Sequence, residues 1–214
     1  MRLIPLLLAA LIALAAAPAS AAPARLAQLS QQDKADLARI EQYFDGVHTM
    51  ESKFLQFSDN GGMAAGKVFL SRPGKMRFEY DPPTKLLLVA NNGILAYYDL
   101  ALQQESNVPL SATPLNILLN AKVSLMGDVT VTKFERDAGT IHVTLQQTKD
   151  PSQGSLTLIF QDKPLQLKQW IVVDQQNIST KVTLIDPQFG PRLDGKLFNF
   201  INPREQGNRP GTGG

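Results

Sequence analysis

The side chains that could do chemistry are few. Two histidines, His48 and His142, lie far apart in a chain of 214 residues that has no cysteine. "HTME", from His48 to Glu51, lacks the second histidine of a zinc-binding helix. His142 alternates with Thr140 and Thr144 in a strand-like stretch, on the side expected to face water. No G-x-S-x-G nucleophile elbow occurs, and "QGSL" at 153–156 reads as a turn entering a strand. Neither glycine-rich phosphate loop is present. Asp and Glu are scattered through turns, where caps and turn formers belong. "NIS" at Asn177 matches a glycosylation triplet and carries no further weight. Lack of cysteine removes thiol chemistry, disulfides, cysteine-held metals and a lipidated N-terminal cysteine. These residues predict a protein that is not an enzyme and holds no metal or cofactor.

Arg72 stands apart. In "GKVFLSRPGKMRFEYDPP" it continues the Val68–Leu70 register, so it shares a face with two apolar residues rather than with Lys67 and Ser71. A guanidinium on an apolar face needs acceptors, because burying it unpaired is costly. The unsatisfied carbonyls at a helix end are natural partners for a planar fork of donors. The plainer alternative is an arginine whose stem lies on the core while its head reaches water.

Alternation defines the elements around Arg72. Lys75, Arg77 and Glu79 are polar, and Met76, Phe78 and Tyr80 between them are apolar, which is a half-buried strand. Strands are predicted near 51–58, 65–72, 75–80, 85–90, 93–99, 101–107, 129–136, 139–147, 154–161, 164–174, 178–186 and 196–201. Turn sequences such as "DNGG", "RPG", "DPP", "NNG" and "DAG" separate them. Such short connections imply hairpins, hence an antiparallel meander. Leu37, Ile40, Phe44 and Val47 recur at helical spacing, with Ser30 or Asp33 placed to cap. In "SATPLNILLNAK", Thr113 is placed to cap a second, short helix with Pro114 in its first position. The fold class is therefore mainly β with few helices (α+β): about eleven antiparallel strands in a large curved sheet or partial barrel, covered by helices. A sheet of that size rolls up and its inner face needs filling. An incompletely filled apolar interior and an ordinary packed sandwich are both compatible with the composition.

The N-terminus indicates where the protein works. Arg2 is followed by an apolar run from Leu3 to Ala17, and Ala19-Ser20-Ala21 is an A-x-A cleavage site. Residues 1–21 are read as a Sec signal peptide, since the run falls short of the roughly 20 residues that span a bilayer. Its removal leaves 20 basic against 19 acidic residues, a balance that argues for no nucleic-acid partner. Residues 22–203 read as one domain, and residues 204–214, "EQGNRPGTGG" with the preceding Arg, as a disordered tail.

At this point the motifs resemble a known family. "GKVFLSRPGKMRFEYDPPTKLLLVANNGILAYYDLALQQ", "TPLNILL", "LKQWIVVDQQNISTKVTLID" and "LDGKLFNFINP" are similar, in order and spacing, to the outer-membrane lipoprotein carrier protein family (LolA). The likeness runs from about Phe54 to Pro203. It implies a soluble, monomeric periplasmic protein: an unclosed antiparallel β-barrel with a helical lid over an apolar cavity. It implies acylated lipoprotein cargo, taken from an inner-membrane lipoprotein-releasing ABC transporter and handed to an outer-membrane lipoprotein acceptor. Arg72 matches the family's lid gate, which hydrogen-bonds lid-helix carbonyls. The acyl-chain cavity is assigned to Phe54, Val68, Leu70, Met76, Phe78 and Tyr80, with Leu115 and Leu118 from the short helix. Plain core packing under the first helix is the competing reading of these side chains. Two departures, Ala96 where an aromatic is frequent and Leu100 where proline is usual, lie in one hairpin and bear on cavity size or preferred cargo. A lipid-sensing or lipid-sequestering module of the same fold is the alternative function. A hydrolase is a third, and lacks any triad or metal cluster.

Overall fold

Ser30 starts the first helix. Its hydroxyl accepts from the Asp33 amide at 3.1 Å while the Asp33 carboxylate accepts from the Ser30 amide at 2.7 Å, a reciprocal capping box. In the computed structural model, which describes residues 26–199, the helix α1 runs Gln31–Gly46 and buries Leu37, Ile40 and Phe44. Eleven strands follow: β1 (Thr49–Ser58), β2 (Met63–Ser71), β3 (Lys75–Tyr80), β4 (Leu86–Asn91), β5 (Ile94–Asp99), β6 (Gln104–Pro109), β7 (Val129–Asp137), β8 (Thr140–Gln147), β9 (Ser155–Gln161), β10 (Gln166–Val173) and β11 (Ser179–Phe189). The short helix α2 (Leu115–Leu119) lies between β6 and β7.

All strands form one sheet in the order β6-β5-β4-β3-β2-β1-β11-β10-β9-β8-β7. Two meanders are thus joined where β1 pairs with β11, and β6 and β7 remain as free edges among the described residues. The sheet is antiparallel throughout and unclosed, as the hairpin-length connections predict.

Register carries one apolar row across both halves. Phe78 lies opposite Val68 on one side and Leu88 on the other, and Met76 opposite Leu70 and Ala90. Across the seam, Phe54 faces Leu184, and the row continues Val182, Trp170, Leu158 and Val143. Gly66 sits in this row beside Phe54; a Cβ there would run into the Glu79 carbonyl and press the Phe54 ring. α1 and α2 lie over this concave face, and their Leu37, Ile40, Phe44, Ile117, Leu118 and Leu119 join it in one buried cluster.

The convex face carries a second, smaller layer. A 3₁₀ turn, Gly195–Phe198, packs on β3 and β4 with Phe198 fully buried, and Arg77 Nη1 donates to the Leu197 carbonyl at 3.3 Å.

Three local expectations are corrected, and one departure is located on the fold. The stretch predicted as a strand at 196–201 is, as far as residue 199, this 3₁₀ turn, because the Asp194 carboxylate captures the Lys196 amide at 2.9 Å. β6 begins at Gln104 rather than near 101, because Asp99 accepts from the amides of both Ala101 and Leu102 and folds them into a turn. Thr113 does not start α2: it ends the preceding 3₁₀ turn (Leu110–Ala112), its amide and hydroxyl both donating to the Leu110 carbonyl, at 3.0 and 2.9 Å, and Pro114 holds the N-cap position of α2. Ala96 does not face the interior. Its register with Val89 and Asn107 puts it on the convex side, where it lines a groove of about 500 Å³ with Ile94 and Asn199. The proposed signal peptide, Pro203 and the tail lie outside the described residues.

Among the described residues no helix is long and apolar enough to cross a membrane. Leu158 is fully buried mid-sheet, whereas Leu102 is exposed in a turn. Leu158→Ala should lower the free energy of unfolding by about 2–5 kcal/mol in urea titrations, and Leu102→Ala should change it by less than about 0.5 kcal/mol.

Candidate functional site

Arg72 closes the β2–β3 hairpin, at the end of the sheet where α1 feeds into β1. Its own amide donates to the His48 carbonyl at 2.7 Å, which fixes the strand end beneath the helix end. The side chain is 7% exposed and surrounded by carbonyls. Nη1 donates to Phe44 O at 2.6 Å and Val47 O at 3.0 Å, both at the C-terminal end of α1. Nε and Nη2 donate to Asn120 O at 3.0 and 2.8 Å, and Nη2 also to Ala121 O at 3.2 Å, just beyond α2. The guanidinium carbon lies 5.4 Å from the Phe44 ring centroid, in cation–π range.

These acceptors follow from helix chemistry. The last carbonyls of a helix have no intrahelical donor, and the helix dipole places negative charge there. Every one of these Arg72 acceptors is a neutral carbonyl. Burial pulls the guanidinium below its ordinary pKa, with the nearby charge of Asp45 opposing that shift. The turn after Arg72 adds a further donor: Gly74, at φ +73°, sends its amide to the Leu119 carbonyl at 2.8 Å. One hairpin tip therefore holds the ends of both lid segments.

The residues assigned to the interior are brought together on the concave face, six of them buried and two, Tyr80 and Leu115, half-buried. Phe54, Val68, Leu70, Met76, Phe78 and Leu118 are buried, and Tyr80 half-buried, in the cluster filled from above by Leu37, Ile40 and Phe44. Phe54 meets Phe78 and Tyr80 edge-on at 4.9 and 5.3 Å, and Phe78 meets Trp170 at 6.3 Å. Side chains of α1 and α2 occupy the space between these walls. Leu115 alone of the eight lines an open cleft, about 460 Å³, together with Leu95, Val108, Pro114, Gln153 and Val172. This cleft lies between the β5–β6 edge, the segment that bears α2, and β10 with the turn that follows it.

Several participants escaped the sequence reading. Trp170 and Val172 alternate in "LKQWIVV" as plainly as Met76 and Phe78 do, yet were not assigned to the interior. Asn120 and Ala121 contribute only backbone, which no side-chain pattern can signal. His48 is exposed, and His142 shares a 3.0 Å hydrogen bond with Thr140; no cluster of metal-ligating side chains occurs among the described residues.

An unclosed antiparallel β-barrel whose apolar concave face is covered by two helices, their ends tied to one buried arginine, defines the class of fold. The model of the outer membrane lipoprotein carrier protein LolA family matches residues 45–201, and the chain belongs to that family. It is 28% identical over 172 residues to an outer-membrane lipoprotein carrier protein of Coxiella burnetii, covering 76% of this chain and 81% of that one. It is 25% identical over 175 residues to the one from Methylococcus capsulatus, covering 78% and 83%. To that of Pseudomonas aeruginosa it is 26% identical over 179 residues, covering 79% and 85%. A putative outer membrane lipoprotein-sorting protein domain from Vibrio parahaemolyticus superposes with a TM-score of 0.47 at 12% identity, covering 77% of this chain and 95% of that one.

Two partly buried tyrosines report on the interior. Burial raises Tyr80 to about 12, with Tyr97 adding to the shift and the 2.9 Å bond to Gln56 opposing it. Burial likewise raises Tyr43 to about 12, against its bond from the Leu167 amide. Both favour the neutral phenol in the folded state. Their contribution to stability is complete below pH 10 and should be lost as pH rises toward 12. Unfolding titrations from pH 9 upward should show this fall, and Tyr43→Phe with Tyr80→Phe should flatten it; an equally steep fall in the double variant would contradict the assignment.

Proposed function

We propose that this protein is a periplasmic carrier that holds the acyl chains of lipoproteins between the concave face of its sheet and its two helices. It takes them from an inner-membrane ABC transporter and releases them to an outer-membrane acceptor. The reading rests on one observation: Arg72, buried at the rim of an apolar wall, spends all its hydrogen bonds on the ends of both lid segments. Membership of the lipoprotein carrier family supports it.

The magnitudes are coherent. An acyl chain with about 15 methylenes, at about 0.8 kcal/mol each, loses on the order of 12 kcal/mol on entering water. A carrier must offset most of that loss, yet binding tighter would prevent delivery. Side chains of α1 and α2 fill the same apolar space, so cargo has to displace them. Displacement strips carbonyls from Arg72 and leaves a buried guanidinium short of acceptors, which costs free energy and biases the loaded state toward release.

Arg72→Leu should therefore retain cargo. Purified from the periplasm of its own host, the variant should carry triacylated lipoproteins that are scarce on the wild type, and should deliver them poorly to the acceptor. Arg72→Lys, with a point charge that cannot span both lid segments, should fall between the two. Delivery by the Leu variant at the wild-type rate would refute the gate. Free lipids in place of lipoproteins would favour a lipid-sensing or lipid-sequestering module of the same fold.

A further inference from the structure

Among the described residues only two charged side chains are buried, Arg72 and Asp36. They lie at opposite ends of α1. The C-terminal end of that helix runs straight into β1 through Val47 and His48, so it is tethered covalently beside Arg72. The N-terminal end does not run into the sheet; the segment before it is joined to β7 by one backbone bond, from the Ala27 amide to the Val131 carbonyl at 2.8 Å. Side chains of the helix itself must supply the rest of its attachment.

Asp36 is 2% exposed and saturated with donors. Its Oδ2 accepts from Arg136 Nη2 at 2.5 Å and Nε at 3.2 Å, and from Gln32 at 3.3 Å; its Oδ1 accepts from Arg39 at 2.6 Å. Arg136 also donates to Asp33 Oδ1 at 2.5 Å, and its guanidinium carbon lies 4.8 Å from the Phe134 ring centroid. Arg39 extends the network to the β9–β10 turn, reaching Asp162 Oδ1 at 3.0 Å and its carbonyl at 3.1 Å. Burial alone would raise both helix carboxylates; the bond from the Ser30 amide and then Arg136 bring Asp33 below the ordinary range, and Arg136 followed by Arg39 does so for Asp36. Across the concave face from Arg72, the end of β7 and the β9–β10 turn thus grip the first two turns of the helix.

We infer that Arg136, with Asp36 and Asp33, is an ionic clasp on the free end of the lid helix, and that α1 opens by releasing this clasp and swinging about its junction with β1. The inference rests on the carrier reading for its role in delivery, not for its geometry. The two attachments differ in kind. Arg72 binds neutral carbonyls at the hinge; Arg136 binds carboxylates at the swinging end and is itself 40% exposed. Arg136 is the solvent-facing member of this charge pair, so the clasp responds to ionic strength more than bonds to neutral buried carbonyls do, although its carboxylates are themselves largely buried. Arg136 acts through the helix, so it is a positioning residue and has no contact with cargo.

The chain has no cysteine, so introduced cysteines can be spin-labelled cleanly. Ala35→Cys with Glu135→Cys spans the free end, and Gln42→Cys with Lys75→Cys spans the hinge end; all but Lys75, which is half-buried, are exposed. Without any lipopeptide, Arg136→Gln should lengthen and broaden the Ala35–Glu135 distance by several ångström and leave the Gln42–Lys75 distance alone. Raising salt to about 1 M should move the wild type the same way and leave the variant unmoved. An unchanged Ala35–Glu135 distance in Arg136→Gln, or an equal response to salt in variant and wild type, would overturn the clasp. Replacing buried Asp36 could unfold the helix, but Arg136 lies at the surface, so its variant is the decisive one. With a synthetic triacyl lipopeptide added, exchange should run about tenfold faster in Arg136→Gln. A distance that opens while exchange stays at the wild-type rate would uphold the clasp and overturn the carrier reading instead.

Discussion

A sheet that is apolar along the whole of one face has to be covered, and here the cover is thin. Eight of the eleven strands contribute to an apolar inner band that runs from Leu88 through Phe78, Val68 and Phe54 to Leu184, Val182, Trp170, Leu158 and Val143. Above it lie one helix of sixteen residues and another of five. Such short helices have little stability of their own and depend on what they pack against. Everything else follows from how that cover is fastened. Its apolar side chains complete the core, and two buried charges hold its ends to the rim.

Burying charge is an expensive way to attach a helix. Well-packed apolar side chains of the same volume are often as stabilising, so a buried ion pair is weak evidence for stability as such. What a charge adds is selectivity of position. A guanidinium among carbonyls, or a carboxylate among guanidinium groups, is satisfied in one arrangement and unsatisfied a few ångström away. A purely apolar lid would slide; this one has a defined seat. The same property makes the seat bistable, which is what a lid that must open and close needs.

Much of this was legible in the sequence. Strand alternation placed Met76, Phe78 and Tyr80 on one face, and the Val68–Leu70–Arg72 register placed a guanidinium on that face, which is the unusual feature of the site. Turn chemistry gave strand number and antiparallel sense. Failures came where a side chain captures backbone locally. Asp99 and Asp194 bend stretches whose alternation reads as strand, and Thr113 bonds backward instead of starting α2. The network around Asp36 was invisible for a different reason. Arg136 and Asp162 lie 100 and 126 positions from Asp36 in the chain, and only the sheet order brings β7 and the β9–β10 turn under the same helix.

The free edges of β6 and β7 give the sheet a mechanical character that a closed barrel lacks. In a ring, strand number and stagger set the diameter, and every strand-to-strand distance is held by a ladder of hydrogen bonds. Here the ladder stops at both edges, and the segment bearing α2 spans the gap between them. Gln147 reaches it from β8, donating to the carbonyls of Ser111 and Thr113. The girth of the interior is therefore not a property of the sheet. It belongs to a sprung clip whose jaws are joined along the β1–β11 seam, and whose opening can change without breaking a single rung of the ladder.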